Sequence, residues 1–507
     1  MSKNLKEKIS VLIKKFEYGN FRDVINESLI ILKKKDNDFL WNLLGLSYQN
    51  LNQIEESIDC FENTLKLNPK NFSALNNLGI SHKKKKNYQV AEKYLLKSIE
   101  INPKYVNPLV NLGNIKNDTY FFDDAISYYK KALALNKNLP LIHLNISTIY
   151  QSINRITDAK KHLNEAILID ETFTIADQKL TSLEKYNEGN PHIKKMLNKL
   201  NNTNLNDNQK VYLYFGLSKI YKDLNDYEKS FFYLKAGNKL QRQTLRYDIA
   251  SHQSLSKKIK SIFSKINLDK FKKGNEGENN IFILGMPRSG TTLIEKIISS
   301  HSNVSSISEV NFIPEKVSKY IGKDFDILKE FLNSNFQFEY NQFIKSFNTK
   351  NNIIVDKTLT NFWYLGFIKI FFPKAKIIHT FRNPKDNCLS IYENIFDFPE
   401  GWNSDQTELA EYYLIYKDLM EFWNELFKDS IYSVEYEDLI LNSEAKIKEL
   451  ITYCELKWED ECLEFYKNDN PIKTVSFNQA NKPIYNTSMK KYKLYEKELD
   501  VLFSKLI

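Results

Sequence analysis

The stretch Ile281-Phe-Ile-Leu-Gly285-Met-Pro-Arg288-Ser289-Gly290-Thr291-Thr292-Leu293-Ile294-Glu295-Lys296-Ile297-Ile298 decides the fold of the second half of this chain. Its unbroken apolar opening reads as a buried strand, the Gly/Pro/Gly run as a tight loop, and the periodic apolar residues after Thr292 as a helix. Backbone N–H groups of a loop that enters a helix N-terminus converge on an anion, and the helix dipole adds to the attraction. Gly285 and Gly290 keep the GxxxxG spacing of a nucleoside-triphosphate loop, but Thr291-Thr292 stands where Lys-Ser/Thr would follow. Without that lysine, and with no evident magnesium carboxylate, a kinase or ATPase would lack its main electrophile.

Further along, Ala375-Lys-Ile-Ile-His-Thr-Phe381 is a second strand pattern that runs into Arg382-Asn383-Pro384-Lys385-Asp386-Asn387-Cys388-Leu389-Ser390. An arginine at a strand end and a serine eight residues later on the next helix can hold one phosphate by a fork and a hydroxyl. Together, Pro287-Arg288-Ser289-Gly290-Thr291-Thr292 and this R-x7-S pair resemble the two donor-binding elements of sulfotransferases. These enzymes use 3′-phosphoadenosine-5′-phosphosulfate (PAPS), and the resemblance covers roughly residues 280–507. It implies an α/β P-loop-like domain with a central parallel sheet, to which Ile353-Ile-Val-Asp356 and Ile431-Tyr-Ser-Val434 contribute short strands. Arg288, Ser289, Gly290, Thr291 and Thr292 would then bind the 5′-phosphosulfate, and Arg382 and Ser390 the 3′-phosphate.

Sulfuryl transfer needs a base for the acceptor and cations for the leaving nucleotide. His301 to Pro314 is similar to the stretch that holds the catalytic glutamate of protein-tyrosine sulfotransferases, which places the base on Glu309; Ser308 stands where those enzymes usually carry another acid. His301 competes, since imidazole is the commoner proton carrier near neutral pH. Lys357 matches a family lysine beside the transferring sulfate, and with Arg288 it would stabilise the leaving oxygen. Tyr436 matches a tyrosine that stacks near the nucleotide. Ser476 and Lys491 match the serine and lysine of the family's closing segment, although Asn481 and Tyr492 depart from the arginine and tryptophan of many bacterial relatives. No metal is implied.

Upstream, Gly45, Gly79 and Gly113 recur every 34 residues with Ser147 in the fourth place. Ser57, Ala91, Ala125 and Ala159 form a small-residue series, and Phe61, Leu95, Tyr129 and Leu163 a bulky one four residues later. Pro69 and Pro103 close the first two units. This resembles the tetratricopeptide repeat (TPR), a helix pair in which a small residue lets two helices approach and a bulky one fills the gap beside it. The fold class expected is therefore an all-α TPR superhelix followed by the α/β domain. Residues 1–180 would be the array, with clear units at about 37–172; residues 181–275 a further repeat-like pair and linker; and residues 276–507 the transferase.

With 507 residues, 14 Gly and 12 Pro against 30 Tyr and 33 Phe, the chain suits several helix-rich domains. The net charge of +9 is spread along the chain, so nucleic acid is not an expected partner, and Lys83 to Lys86 reads as a solvated turn. Four scattered cysteines and the lack of a long apolar run suggest a reducing, cytoplasmic location with no membrane segment. The expected partner is a protein or peptide on the superhelix, or a second copy in a homodimer. The function expected is sulfuryl transfer from PAPS to an acceptor hydroxyl, a peptide tyrosine among the candidates. A P-loop kinase-like enzyme and an inactive TPR scaffold are the alternatives.

Overall fold

The computed structural model describes residues 3–201, 204–267, 277–396, 400–468, 481–484 and 489–506. It divides into two units, Met1–Ile146 with Gln342–Asn348, and Ser147–Asn341 with Thr349–Ile507.

The first unit is built from helix pairs: α1 (Lys3–Glu17) with α2 (Phe21–Leu32), α3 (Asp38–Asn50) with α4 (Ile54–Leu67), α5 (Phe72–Lys84) with α6 (Tyr88–Ile101), and α7 (Val106–Asp118) with α8 (Phe122–Leu135). The side chains of Asn37 and Asn71 cap α3 and α5 by accepting from the N–H groups of Leu40 and Ala74. The α4 and α6 helices stop two residues before Pro69 and Pro103, as the restriction on residues preceding proline requires. The periodic glycines mark close approach: a Cβ on Gly45 would lie 2.6 Å from the Phe61 ring, on Gly79 2.7 Å from Leu95, and on Gly113 2.5 Å from the Tyr129 ring. Phe61, Leu95 and Tyr129 are fully buried, so each fills the gap that its glycine leaves. Phe343 and Phe347, from the segment Gln342–Asn348, pack beside Tyr88 in the same unit, and Asn348 donates its N–H to the carbonyl of Thr119.

The α9 helix (Pro140–Ser152) carries the chain into the second unit. There α10 (Ile156–Ile169), α11 (Thr174–Leu183), α12 (Pro191–Leu200), α13 (Asp207–Asp223), α14 (Tyr227–Thr244) and α15 (Ala250–Phe263) precede the sheet. The strands β1 (Asn280–Gly285), β2 (Val304–Ser308), β3 (Ile353–Asp356), β4 (Lys376–Phe381) and β5 (Ile431–Glu435) pair in the order β2-β3-β1-β4-β5, and every pair is parallel. Every residue of β1 is buried, as expected of a central strand covered on both faces. Connecting helices include α16 (Thr291–Ser299), α17 (Phe312–Val317), α18 (Phe325–Leu332), α19 (Phe336–Ile344), α20 (Leu365–Phe371), α21 (Pro384–Tyr392), α22 (Gln406–Leu426), α23 (Tyr436–Leu441), α24 (Ser443–Tyr453) and the terminal α25 (Asp500–Lys505).

The α13–α14 pair belongs to the same unit as the sheet and is stitched to α21 and α22. Arg242 forks onto Glu408 at 2.6 and 2.8 Å, Asn238 donates to the carbonyl of Tyr392 at 3.0 Å, and Lys222 pairs with Glu393. Such a bidentate pair fixes orientation as well as distance. No helix among the described residues is long and apolar enough to cross a membrane.

Candidate active site

Because the sheet is wholly parallel, all five strands end on one edge, and the order reverses direction between β1 and β4. Ligands of open α/β sheets bind in the crevice at such a reversal. Each strand delivers one candidate residue there: Arg288 follows β1, Glu309 follows β2, Lys357 follows β3, Arg382 follows β4 and Tyr436 follows β5.

The loop after β1 is held tightly. A Cβ on Gly285 would lie 2.3 Å from the carbonyl oxygen of Thr380, so β4 closes directly on the loop. Ser289 is buried, with its hydroxyl 2.9 Å from that of Thr380, and Asn387 of α21 donates to the carbonyl of Pro287 at 2.8 Å. Thr291 and Thr292, both buried, open α16 behind Gly290, which is left-handed at φ 108°. A Cβ on Gly290 would meet the Tyr436 ring at 2.7 Å, and the Arg382 guanidinium lies 4.8 Å from the centre of that ring. Tyr436 therefore lies against both the loop and the arginine. Arg288, itself left-handed at φ 68°, donates from Nε to the Ser390 hydroxyl at 3.0 Å. The loop after β1 and the R-x7-S element thus meet through one hydrogen bond.

Lys491 completes a basic cluster. Burial lowers its pKa below the usual lysine value, and the charges of Lys222, Arg382 and Arg288 push it further down against an opposing pull from Glu393. Burial likewise raises the carboxyl of Glu437, against the pull of Arg382, whose Nε lies 3.8 Å away. Ser476 lies outside the described residues.

Across the edge, Lys357 is fully buried and its ammonium touches the carboxylate of Glu309. A second carboxylate, Glu295 of α16, lies 3.5 Å from the same nitrogen and accepts from the Ser306 hydroxyl at 2.6 Å. Burial alone would lower the pKa of Lys357, but the charges and hydrogen bonds of Glu309 and Glu295 outweigh it and hold the amine above its ordinary value. Glu309 is bracketed by Ser308 at φ 53° and Asn311 at φ 52°, left-handed conformations that cost L-residues about 1–2 kcal/mol each. The Thr358 hydroxyl holds that turn by accepting from the N–H groups of Val310 and Asn311, and Asp356 fixes Thr358 in turn by accepting its N–H at 3.0 Å. Strain maintained by the surrounding structure is a feature of functional turns.

His301 takes no part in this cluster. Its ring is buried, with Nε2 2.9 Å from the carbonyl of Lys457 and Nδ1 accepting from the N–H of Asn303. Nδ1 serves the turn after α16, while Nε2 faces the segment after α24, where the Glu459 carboxylate also lies 3.5 Å away. Glu295 was not among the residues singled out in the sequence, where it is one polar position in an apolar helix; the α16 period, which faces it back toward the strands, is the signal that could have found it.

Residues 280–460 match the profile of the sulfotransferase family, and residues 39–71, 72–105, 141–173 and 211–244 match profiles of the tetratricopeptide repeat. The chain thus carries tetratricopeptide repeats within residues 39–244 and a sulfotransferase-family domain at residues 280–460. Among curated relatives, an uncharacterised protein of Aquifex aeolicus is 35% identical over 56% of this chain and 40% of its own length. A protein-tyrosine sulfotransferase of Drosophila melanogaster is 25% identical over 42% of this chain and 46% of its own. The chain thus spans less than half the length of either relative. A crystal structure of MamA aligns with 31% of this chain and 93% of its own, at 22% identity and a TM-score of 0.29.

Proposed function

We propose that this protein transfers a sulfuryl group from PAPS to an acceptor hydroxyl, with a protein or peptide tyrosine as the acceptor and the repeat array as the surface that recruits it. The observation that carries this reading is the contact of Arg288 with Ser390 beside Tyr436 and Arg382, where the loop lacking a lysine meets the R-x7-S pair. The donor suits the residues present: Lys491 is depressed first by burial and then by the charges of Lys222, Arg382 and Arg288, a repulsion that a 3′,5′-bisphosphate would relieve. The tyrosine acceptor is supported by the name of the Drosophila relative.

In this reading Arg382 and Ser390 hold the 3′-phosphate, the loop amides and Arg288 hold the 5′ end, and Tyr436 packs beside the nucleotide. Glu309 takes the proton from the acceptor hydroxyl as the acceptor oxygen bonds to sulfur. The bond between sulfur and the bridging oxygen of the 5′-phosphate breaks, and 3′,5′-adenosine bisphosphate leaves with that electron pair. Lys357 and Arg288 meet the charge that develops on the bridging oxygen. As Glu309 becomes neutral, Glu295 remains as a counter-charge for Lys357, so the lysine stays protonated and in place.

The test is calorimetric titration with 3′,5′-adenosine bisphosphate, and with ATP plus magnesium in parallel. Selective binding of the bisphosphate is the expected result. Preference for ATP would overturn the reading in favour of a kinase-like enzyme, and no binding of either would favour a scaffold.

A further inference from the structure

Asp386 lies within the R-x7-S element, between Arg382 and Ser390, and is almost wholly buried. It is not the cap of its own helix: that role belongs to Asn383, whose side chain accepts from the N–H groups of Lys385 and Asp386. The Asp386 carboxylate instead reaches 104 residues along the chain. One oxygen accepts the N–H of Lys490 at 2.6 Å and the other the N–H of Tyr492 at 3.1 Å. The two bonds bracket Lys491. Lys490 is left-handed at φ 58°, a conformation that needs such support, and Lys385, next to Asp386, places its ammonium over the rings of Tyr492 and Phe503. Carboxylate bonds to two backbone N–H groups are charge-assisted and directional, so they fix a main-chain path.

We infer that Asp386 is a positioning residue for the nucleotide donor: by holding the backbone on either side of Lys491 to the helix that carries Arg382 and Ser390, it makes Lys491 the third group on the phosphate those two residues bind. This rests on the donor site proposed above. Both oxygens of the carboxylate are taken up by the main chain, so its structural work is on the backbone. The helix that carries Arg382 and Ser390 and the backbone on either side of Lys491 are therefore tied together, so that main chain need not be ordered again on binding.

The experiment titrates the full chain with 3′,5′-adenosine bisphosphate and, separately, with 5′-AMP, which lacks the 3′-phosphate. Asp386→Asn keeps the volume of the side chain but can accept through one atom only. It should weaken the bisphosphate by at least about tenfold, the worth of a hydrogen bond to a charged group, and 5′-AMP by less than about threefold. Lys491→Ala should give the same pattern, and the double variant should bind no more weakly than Lys491→Ala alone, since coupled residues are not additive. Equal weakening of both nucleotides, or full additivity in the double variant, would overturn the assignment, because a general loss of structure has those signatures. Should Asp386→Asn fail to fold, hydrogen exchange on the unsubstituted protein decides: slow exchange at the amides of Lys490 and Tyr492 is expected, and fast exchange at both refutes the anchor. If the unsubstituted protein ignores the bisphosphate altogether, the sulfotransferase reading fails first, and this one with it.

Discussion

Replacing Glu309 with glutamine separates the two consequences of its contact with Lys357. In the folded protein one ammonium is shared by two carboxylates, Glu309 in contact and Glu295 at 3.5 Å. Breaking a buried ion pair by removing one partner costs about 3–5 kcal/mol. Glu309 is 35% exposed, however, and Lys357 keeps a second carboxylate in Glu309→Gln, so the expected loss is only about 1 kcal/mol, a fall in Tm of about 2 °C. The rate has no such reserve: without a general base, kcat should fall about 10²- to 10⁴-fold. Affinity for 3′,5′-adenosine bisphosphate should stay within about twofold if the carboxylate serves as the base, since it would then not be a phosphate ligand. Lys357→Met should show the opposite balance. It strands the buried Glu295 without a cation and should cost the full 3–5 kcal/mol or so. Thermal unfolding, calorimetry and initial sulfation rates on the two variants make the comparison. Retention of more than about a tenth of kcat in Glu309→Gln would remove the base assignment. A Tm as low as that of Lys357→Met would refute the argument that Glu295 shares the lysine.

Arg382→Ala, which deletes a buried guanidinium beside Tyr436, should weaken bisphosphate binding about 10- to 100-fold; an unchanged titration would dissociate the R-x7-S pair from donor binding. Gly113→Ala puts a methyl group 2.5 Å from the Tyr129 ring and should cost about 1–3 kcal/mol in urea unfolding, with Tyr129→Leu restoring part of it; full stability in the single variant would show that the helices have room to part. Burial lowers the pKa of His379 from 6.5 to about 4, with Nε2 bonded to the Tyr416 hydroxyl. The unfolded chain binds a proton there that the folded chain refuses, so this contribution is whole above pH 6.5 and is lost as the pH falls toward 4, by about 3 kcal/mol. His379→Gln should flatten that acid decline in Tm, and parallel curves for the two proteins would discount the histidine.

Particular residues show what the sequence made legible. The glycine series and the bulky series four positions beyond the small one could be paired before any coordinates, because a fixed period leaves few alternatives for Gly113 and Tyr129. The loop from Gly285 to Thr292 was equally open, since strand, turn and helix each have a local signature. The β2 strand was not: Val-Ser-Ser-Ile-Ser is an edge strand with three serines and little β-type character, and only its pairing with β3 defines it. Glu295 and Asp386 were hidden for a related reason. Their partners lie across the fold or 104 residues away, and a lone carboxylate on a helix carries no local mark of what it will hold. His301, a plausible base by residue type, spends one ring nitrogen on its own turn and the other on the carbonyl of Lys457, which residue type alone could not reveal.

The stitching of α13 and α14 to the helices beside the sheet bears on how such proteins can be recombined. By its motif this pair is one more repeat, interchangeable in principle with any other. Yet Asn238 and Arg242 carry bonds that no ordinary repeat needs, to Tyr392 and Glu408. A chimera joined at residue 276 would inherit the loop and R-x7-S motifs intact and lose those two supports, along with the Lys222 partner of Glu393 at the end of α21. A junction upstream of Asp207 would keep them. Exchange of arrays between proteins of this architecture is thus constrained by a repeat that has become part of the α/β domain's own foundation.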